Sequence, residues 1–290
     1  MRRHKIILSL VMILWAASTS AQGDEPAGGM ANYLRLARDE HDAPVALEAS
    51  IVRFTPADRG KRWPSVDLVA AVHVGDKTYY RTLNDRFAQY DAVLFELVAP
   101  EGTRIPKGGV EPGGNPVSSL QGGLTRLLDL EFQLREVDYT RANMVHADMS
   151  PEQFAASMRD RGESMYQTFM RMLGYAMTRQ GGSPVGSSDF RMIGALFRKD
   201  RALALKRIMA EQFEELDGSL AAINGPEGST LVSERNKRAL EVLRKEIDRG
   251  KRKLAIFYGA GHMPDFAERL DKDFGLKPVG TEWVTAWDLK

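Results

Sequence analysis

Three short, nearly uninterrupted apolar runs constrain this chain most: Val66–Val74, Ala92–Val98 and Leu254–Tyr258. A strand with one wet face alternates apolar and polar residues. These runs do not, so each reads as a strand covered on both faces, the pattern of a parallel sheet sandwiched between helices. Between the first two, Asp76 is placed to cap a helix that carries Tyr79 or Tyr80, Leu83 and Phe87 on one stripe, which makes a strand–helix–strand unit. Ala46–Phe54 and Gly280–Trp287 read as further strands. Ser233 can cap a helix to about Asp248, and Pro264–Leu270 is a short helix before the closing strand. The expected fold is α/β: a single mainly parallel sheet flanked by helices, in one domain over 46–290, with a helical insertion at about 150–218.

The middle of the chain is of another kind. Pro100–Gly123 is dense in glycine and proline and long for a connection inside a domain, and reads either as a lid or binding loop or as a mobile insertion. Ser150-Pro-Glu-Gln is a capping box with proline at the first helical position. Phe154, Met158, Met165, Phe169 and Met172 follow at helical spacing. Such a methionine-rich stripe packs a core more often than it forms an adaptable partner surface. A Gly/Ser-rich break at Gly181–Ser188 precedes a second helix from Phe190 to about Leu216.

At the start, Arg2, Arg3 and Lys5 precede an apolar core, Ile6–Trp15, and small residues lead to Ala21. That order is a signal peptide over 1–21, with a core too short to span a bilayer. It is followed by a flexible leader over 22–45. The expectation is an exported chain, periplasmic or extracellular, with no stable transmembrane anchor once the signal is removed. The 40 basic and 39 acidic residues balance to +1, which leaves no basic excess for nucleic acid. There is no cysteine, so disulfides, thiolate zinc sites, iron–sulfur clusters and a cysteine nucleophile are all excluded. Any metal must be held by His, Asp, Glu or backbone oxygen.

Candidate site residues gather at strand ends. His73 closes the first apolar run, in Ala70-Ala-Val-His-Val-Gly-Asp, and His262 follows the third, in Tyr258-Gly-Ala-Gly-His-Met-Pro. In open α/β sheets, ligands bind where such turns converge, at the carboxyl ends of the strands. Glu96 is a lone carboxylate in an apolar strand, costly to bury unless paired, hydrogen-bonded or metal-bound. On the helix after Ser233, the face made by Leu240, Leu243 and Ile247 runs back onto Asn236, with Arg235 at its border. Two polar groups on a buried face need partners. They could pair with Glu96 or present an anion-binding helix start to a substrate. Glu234 points away and complements the helix dipole.

Ala71-Val-His-Val-Gly-Asp, Leu94-Phe-Glu-Leu, Glu234-Arg-Asn and Gly259-Ala-Gly-His-Met-Pro together resemble the TraB/PrgY/GumN/Tiki family. That family is marked by two Gly-x-x-His motifs, a strand glutamate and a Glu-Arg-Asn/Asp element. The resemblance covers roughly residues 46–290. The second motif is intact, while the first has Ala70 in place of the usual glycine. The resemblance implies an erythromycin esterase/ChaN-like fold, and a site lined by His73, Glu96 and His262 with Arg235 and Asn236 beside it. Animal Tiki members are metal-dependent peptidases, and some bacterial members act on or sequester signalling peptides. Asn143-Met-Val-His-Ala-Asp also looks like a segment of bacterial relatives, and a capping or packing role is expected for His146 and Asp148.

The leading expectation is a metal-dependent hydrolase of peptide-like bonds. His73 and His262 would be ligands of a divalent ion such as Mn, Co or Zn, Glu96 a ligand or general base, and Arg235 a clamp for an oxyanion or substrate carboxylate. A non-catalytic exported protein that binds peptides or small ligands is the second reading. A metal-independent, esterase-like hydrolase is the third. A shared ion requires the strands ending at His73, Glu96 and near His262 to be neighbours, with the two rings within about 12 Å.

Overall fold

The apolar runs form the middle of a seven-stranded sheet in a computed structural model that describes residues 33–57, 64–109, 128, 130–164, 194–195, 198, 200–211 and 228–290. In chain order the strands are β1 (Leu34–Arg38), β2 (Pro44–Pro56), β3 (Ser65–Ala71), β4 (Val74–Gly75), β5 (Ala92–Phe95), β6 (Glu131–Phe132), β7 (Met144–His146), β8 (Lys253–Gly259) and β9 (Leu276–Asp288). The helices are α1 (Lys77–Phe87), α2 (Gln133–Glu136), α3 (Pro151–Asp160), α4 (Arg235–Asp248) and α5 (Met263–Phe274), with a further helical stretch at 201–211.

The sheet order is β1-β2-β3-β8-β5-β7, with β9 on the other side of β2. It is parallel across β3, β8, β5 and β7, and antiparallel where β1, β2 and β9 extend it. Strands β4 and β6 form a separate antiparallel ribbon. The three apolar runs are therefore neighbours, with β8 between β3 and β5. Val66, Leu68, Val69, Ala92, Val93, Leu94 and Leu254 through Tyr258 are all buried, as strands covered on both faces must be.

Consecutive strand residues point to opposite faces, so Phe257 and Tyr258 identify the two layers. Phe257 meets Phe87 of α1, and Tyr258 meets Phe266 of α5. α5 buries Met263, Phe266, Leu270 and Phe274 on one stripe, then stops at Gly275, whose left-handed φ of 66° suits glycine. α4 joins α5 on that face through a hydrogen bond from Asn236 Nδ2 to Asp265 Oδ2. In the stretch 201–211, Leu205, Ile208, Met209 and Ala210 are buried, so the second mid-chain helix docks on the body along this part.

Several expectations shift. The sheet begins earlier than residue 46, because Leu34–Arg38 of the expected leader pair with β2. Val66–Val74 splits, with β3 ending at Ala71 and β4 starting at Val74. Asp76 stands at the N-cap of α1 without capping it; its carboxylate accepts from Lys206 Nζ and the Asp288 N–H instead. Ser233 does not cap α4. A π-helical turn, Thr230–Glu234, precedes it and is capped by Ser229, while the Ser233 hydroxyl bonds Asp265. The Ser150 capping box is present at α3, where Phe154 and Met158 are only half-buried. The signal segment, the Gly181–Ser188 break, Met165, Phe169, Met172 and the part of the Gly/Pro stretch beyond 109 lie outside the described residues. Among the described residues no helix is long and apolar enough to cross a membrane.

Candidate functional site

The four parallel strands end on one side, and each delivers a polar residue there. At β3 the chain leaves the sheet after Ala71, which frees backbone carbonyls. Two buried tyrosines of α1 take them up: Tyr79 OH donates to Ala70 O and Tyr80 OH to Val72 O, each at 3.1 Å. This lets the strand break without stranding polar groups in the core, and the break turns His73 toward the carboxyl end of the sheet. Gln133, brought in by the β4–β6 ribbon, then holds His73 twice. Its N–H donates to His73 O at 3.0 Å, and its Oε1 accepts from His73 Nδ1, also at 3.0 Å. The Gln133 amide is itself oriented by donation to Tyr139 OH at 2.8 Å.

Glu96 follows β5 and meets two donors. Gly259 N–H reaches Oε2 at 2.8 Å, and Arg235 Nη2 reaches Oε1 at 2.6 Å. Asp148, just beyond β7, takes the same guanidinium edge-on, with Arg235 Nε at 3.0 Å from Oδ1 and Nη2 at 2.6 Å from Oδ2. All three side chains are buried, at 9% exposure for Glu96, 6% for Arg235 and 0% for Asp148. Burial on its own would raise the Glu96 pKa, but Arg235, His262, His73 and the Gly259 N–H outweigh it and hold this carboxylate well below its usual range. Burial works against the Arg235 charge too, and Glu96 and Asp148 overcome it, pushing its pKa up.

His262 ends the short turn after β8. Its Nδ1 lies 2.7 Å from Asn236 Oδ1, while Asn236 Nδ2 donates to His262 O at 3.0 Å and to Asp265 Oδ2 at 2.8 Å. Because both Asn236 amide hydrogens are committed, Oδ1 accepts, and the His262 proton sits on Nδ1. Nε2 is then a bare lone pair, consistent with its neighbour on that side: Arg235 Nη1, a pure donor, at 3.5 Å. Gln133 Oε1 can only accept, so the His73 Nδ1 beside it carries a proton, and His73 Nε2 lies on the Gly259 side. Burial, more than any neighbouring charge, lowers the His262 pKa to about 4.

These groups approach one another over a position that has no side chain. A methyl group on Gly259 would sit 3.3 Å from His73 Nε2, 3.4 Å from Glu96 Oε2 and 3.9 Å from His262 Cδ2. Three expected site residues thus meet around one glycine, well inside the 12 Å limit set for the two rings. The donors suit a divalent ion in type and protonation. Imidazoles whose Nδ1–H groups are held by amide oxygens turn Nε2 outward as the donor atom, a common arrangement for metal-binding histidines. Two carboxylates against one guanidinium also leave an uncompensated negative charge. Side-chain positions do not close on one point: among the described residues, no three His, Asp or Glu groups form a ready cage for an ion. Glu96 Oε1 is turned to Arg235 instead.

Arg235 and Asn236 join the site as placed by the helix periodicity, but Arg235 spends its donors inside the protein rather than on open space. Glu234 also does more than complement a dipole, since it pairs with Lys237 and Arg161. His146 stays outside: its Nε2 lies 2.6 Å from Leu97 O, and its ring packs on Phe95. Asp148, expected to cap or pack, is a direct partner of Arg235. Its position two residues past a strand-end histidine was the available signal. Gln133 and Tyr139 had none. Neither a scan against protein-family models nor searches of the curated proteins and of the solved structures find a match.

Proposed function

We propose that the chain is an exported, metal-dependent hydrolase of peptide-like bonds, built on the TraB/PrgY/GumN/Tiki plan with an erythromycin esterase/ChaN-like sheet and a helical insertion at about 150–218. The observation that carries this reading is the pair of imidazoles, each with Nδ1 tied to an amide oxygen, set on either side of the ionised Glu96. His73, His262 and Glu96 would hold the ion, Mn, Co or Zn. When bound, it would lower the pKa of a water molecule to supply the nucleophile. Gln133 and Asn236 keep the two rings in the tautomer that offers Nε2. The Gly259 N–H and Arg235 keep Glu96 ionised, which suits a metal ligand better than a general base. As whole residues His73 and Glu96 are half-buried and His262 is buried, so a substrate would approach from the side of the first two.

Calorimetric titration of Mn, Co and Zn into the parent, His73→Ala and His262→Ala tests this directly. Binding by the parent that both variants lose supports the reading; equal binding by all three defeats it. One observation favours a second reading. The half-buried His73 has its Nε2 on the Gly259 side with no hydrogen-bond partner among the described residues, and could take a proton from water with no metal present. Hydrolysis of a peptide library that survives chelation would select that alternative.

A further inference from the structure

The contact between Arg235 and its two carboxylates is unequal. Asp148 takes the guanidinium edge with both oxygens, through Nε at 3.0 Å and Nη2 at 2.6 Å. Glu96 receives a single contact, from Nη2 to Oε1, and its Oε2 faces the Gly259 N–H beside His73. A paired fork holds an arginine in one orientation, whereas a single contact can be exchanged for another cation. The Asp148 side chain has no exposure, so no water competes for its oxygens. It is anchored in turn by the Met149 N–H, which donates to Oδ1 at 2.7 Å.

We infer that Asp148 is a positioning residue: by holding the edge of Arg235 it leaves Glu96 free to turn from the guanidinium to a divalent cation held with His73 and His262. The inference rests on the metal reading above. Without the Asp148 charge, the buried guanidinium has Glu96 as its one remaining carboxylate within the cluster. Arg235 would then close on Glu96 with its full fork and compete with the ion for it. Removing one partner of a buried ionic cluster leaves the other charge seeking compensation, whereas removing two opposite partners together relieves it.

The test is calorimetric titration of Mn into the full chain as parent, Asp148→Asn, Arg235→Gln and the double variant, with thermal melting of each. Asp148→Asn is expected to weaken Mn binding about tenfold or more, and the double variant to recover to within about threefold of the parent. A merely structural role would move melting temperature and Mn affinity together across the four proteins, whereas positioning weakens Mn binding by Asp148→Asn at a temperature where it is fully folded. Unchanged binding by Asp148→Asn, or a double variant no better than it, overturns the inference while leaving the metal reading in place. A parent that binds no Mn overturns both. If Asp148→Asn does not fold, Arg235→Gln carries the test. With the competing cation gone it should bind Mn about tenfold more tightly than the parent, and unchanged or weaker binding overturns the inference.

Discussion

Acidification should destabilise this protein through His262 before its carboxylates titrate. Burial lowers the His262 pKa to about 4 in the folded protein, against about 6.5 in an unfolded chain. Between those values the unfolded chain binds a proton that the folded one refuses. Stability therefore rises with pH across the window and is lost as pH falls. Worked through the linkage relation, the loss is about 2 kcal/mol between pH 7 and 5 and about 3 kcal/mol by pH 4. Glu96 acts in a lower range. Its folded pKa is depressed, so its contribution is complete above the unfolded carboxylate value of about 4.3 and fades only below it. Urea unfolding with chelator present, at pH 7, 6 and 5, separates the two. The parent should lose about 2 kcal/mol across that series and His262→Gln, which cannot titrate, less than about 0.5. Parallel slopes for the two proteins would refute the reasoning, because the lost proton would belong elsewhere.

Three further outcomes follow from the geometry. Gly259→Ala keeps an allowed backbone, with φ at −51°, but places a methyl group within 3.4 Å of His73 Nε2 and Glu96 Oε2; calorimetry should show Mn binding lost while melting changes little. Asn236→Leu leaves the His262 Nδ1–H and carbonyl and Asp265 Oδ2 short of a partner in the core, which should cost about 2–4 kcal/mol in urea unfolding. A loss below about 1 kcal/mol would show that water reaches those groups. Ser150→Ala removes a two-way capping box at α3 and should cost about 1 kcal/mol by the same assay.

The parts of the fold legible in the sequence are those where one residue pattern meets one environment. Leu254–Tyr258 could be nothing but a strand covered on both faces, and the stripe of α4 that placed Asn236 inside the protein needed only a period of 3.6. The parts missed depend on partners far along the chain. β1 is Leu-Arg-Leu-Ala-Arg, a short alternation with no turn signal of its own, and it becomes a strand because β2 is long enough to pair with it and β3 in succession. The cap of α4 was placed at Ser233 because a serine stands just before the apolar stripe, whereas the chain enters α4 through a π turn that Ser229 caps, and Glu234 at the start of α4 caps nothing with its side chain. Among site residues, His73, Glu96 and His262 stood out by being polar at the ends of apolar runs. Gln133 sits among residues of mixed character, and only the β4–β6 ribbon brings it to His73. Asp148 carried the strand-end signal, but β7 is three residues long, too short to read as a strand without its parallel partner β5.

The place of β8 in the sheet has a bearing on how the chain comes to be folded. β8 lies between β3 and β5 but is synthesised long after both. Until it arrives, each of those strands has an apolar edge with nothing to pair against, and Glu96 lacks the Gly259 N–H that binds its Oε2. A sheet that waits on so distant a segment folds slowly, because the loop must close before any pairing rewards it. Meanwhile the nascent chain exposes unpaired strand edges of the kind that invite aggregation. For a chain with the proposed exported destination the same delay is useful. A polypeptide that cannot complete its central sheet until its last segments appear stays threadable, and a translocation channel requires an unfolded thread.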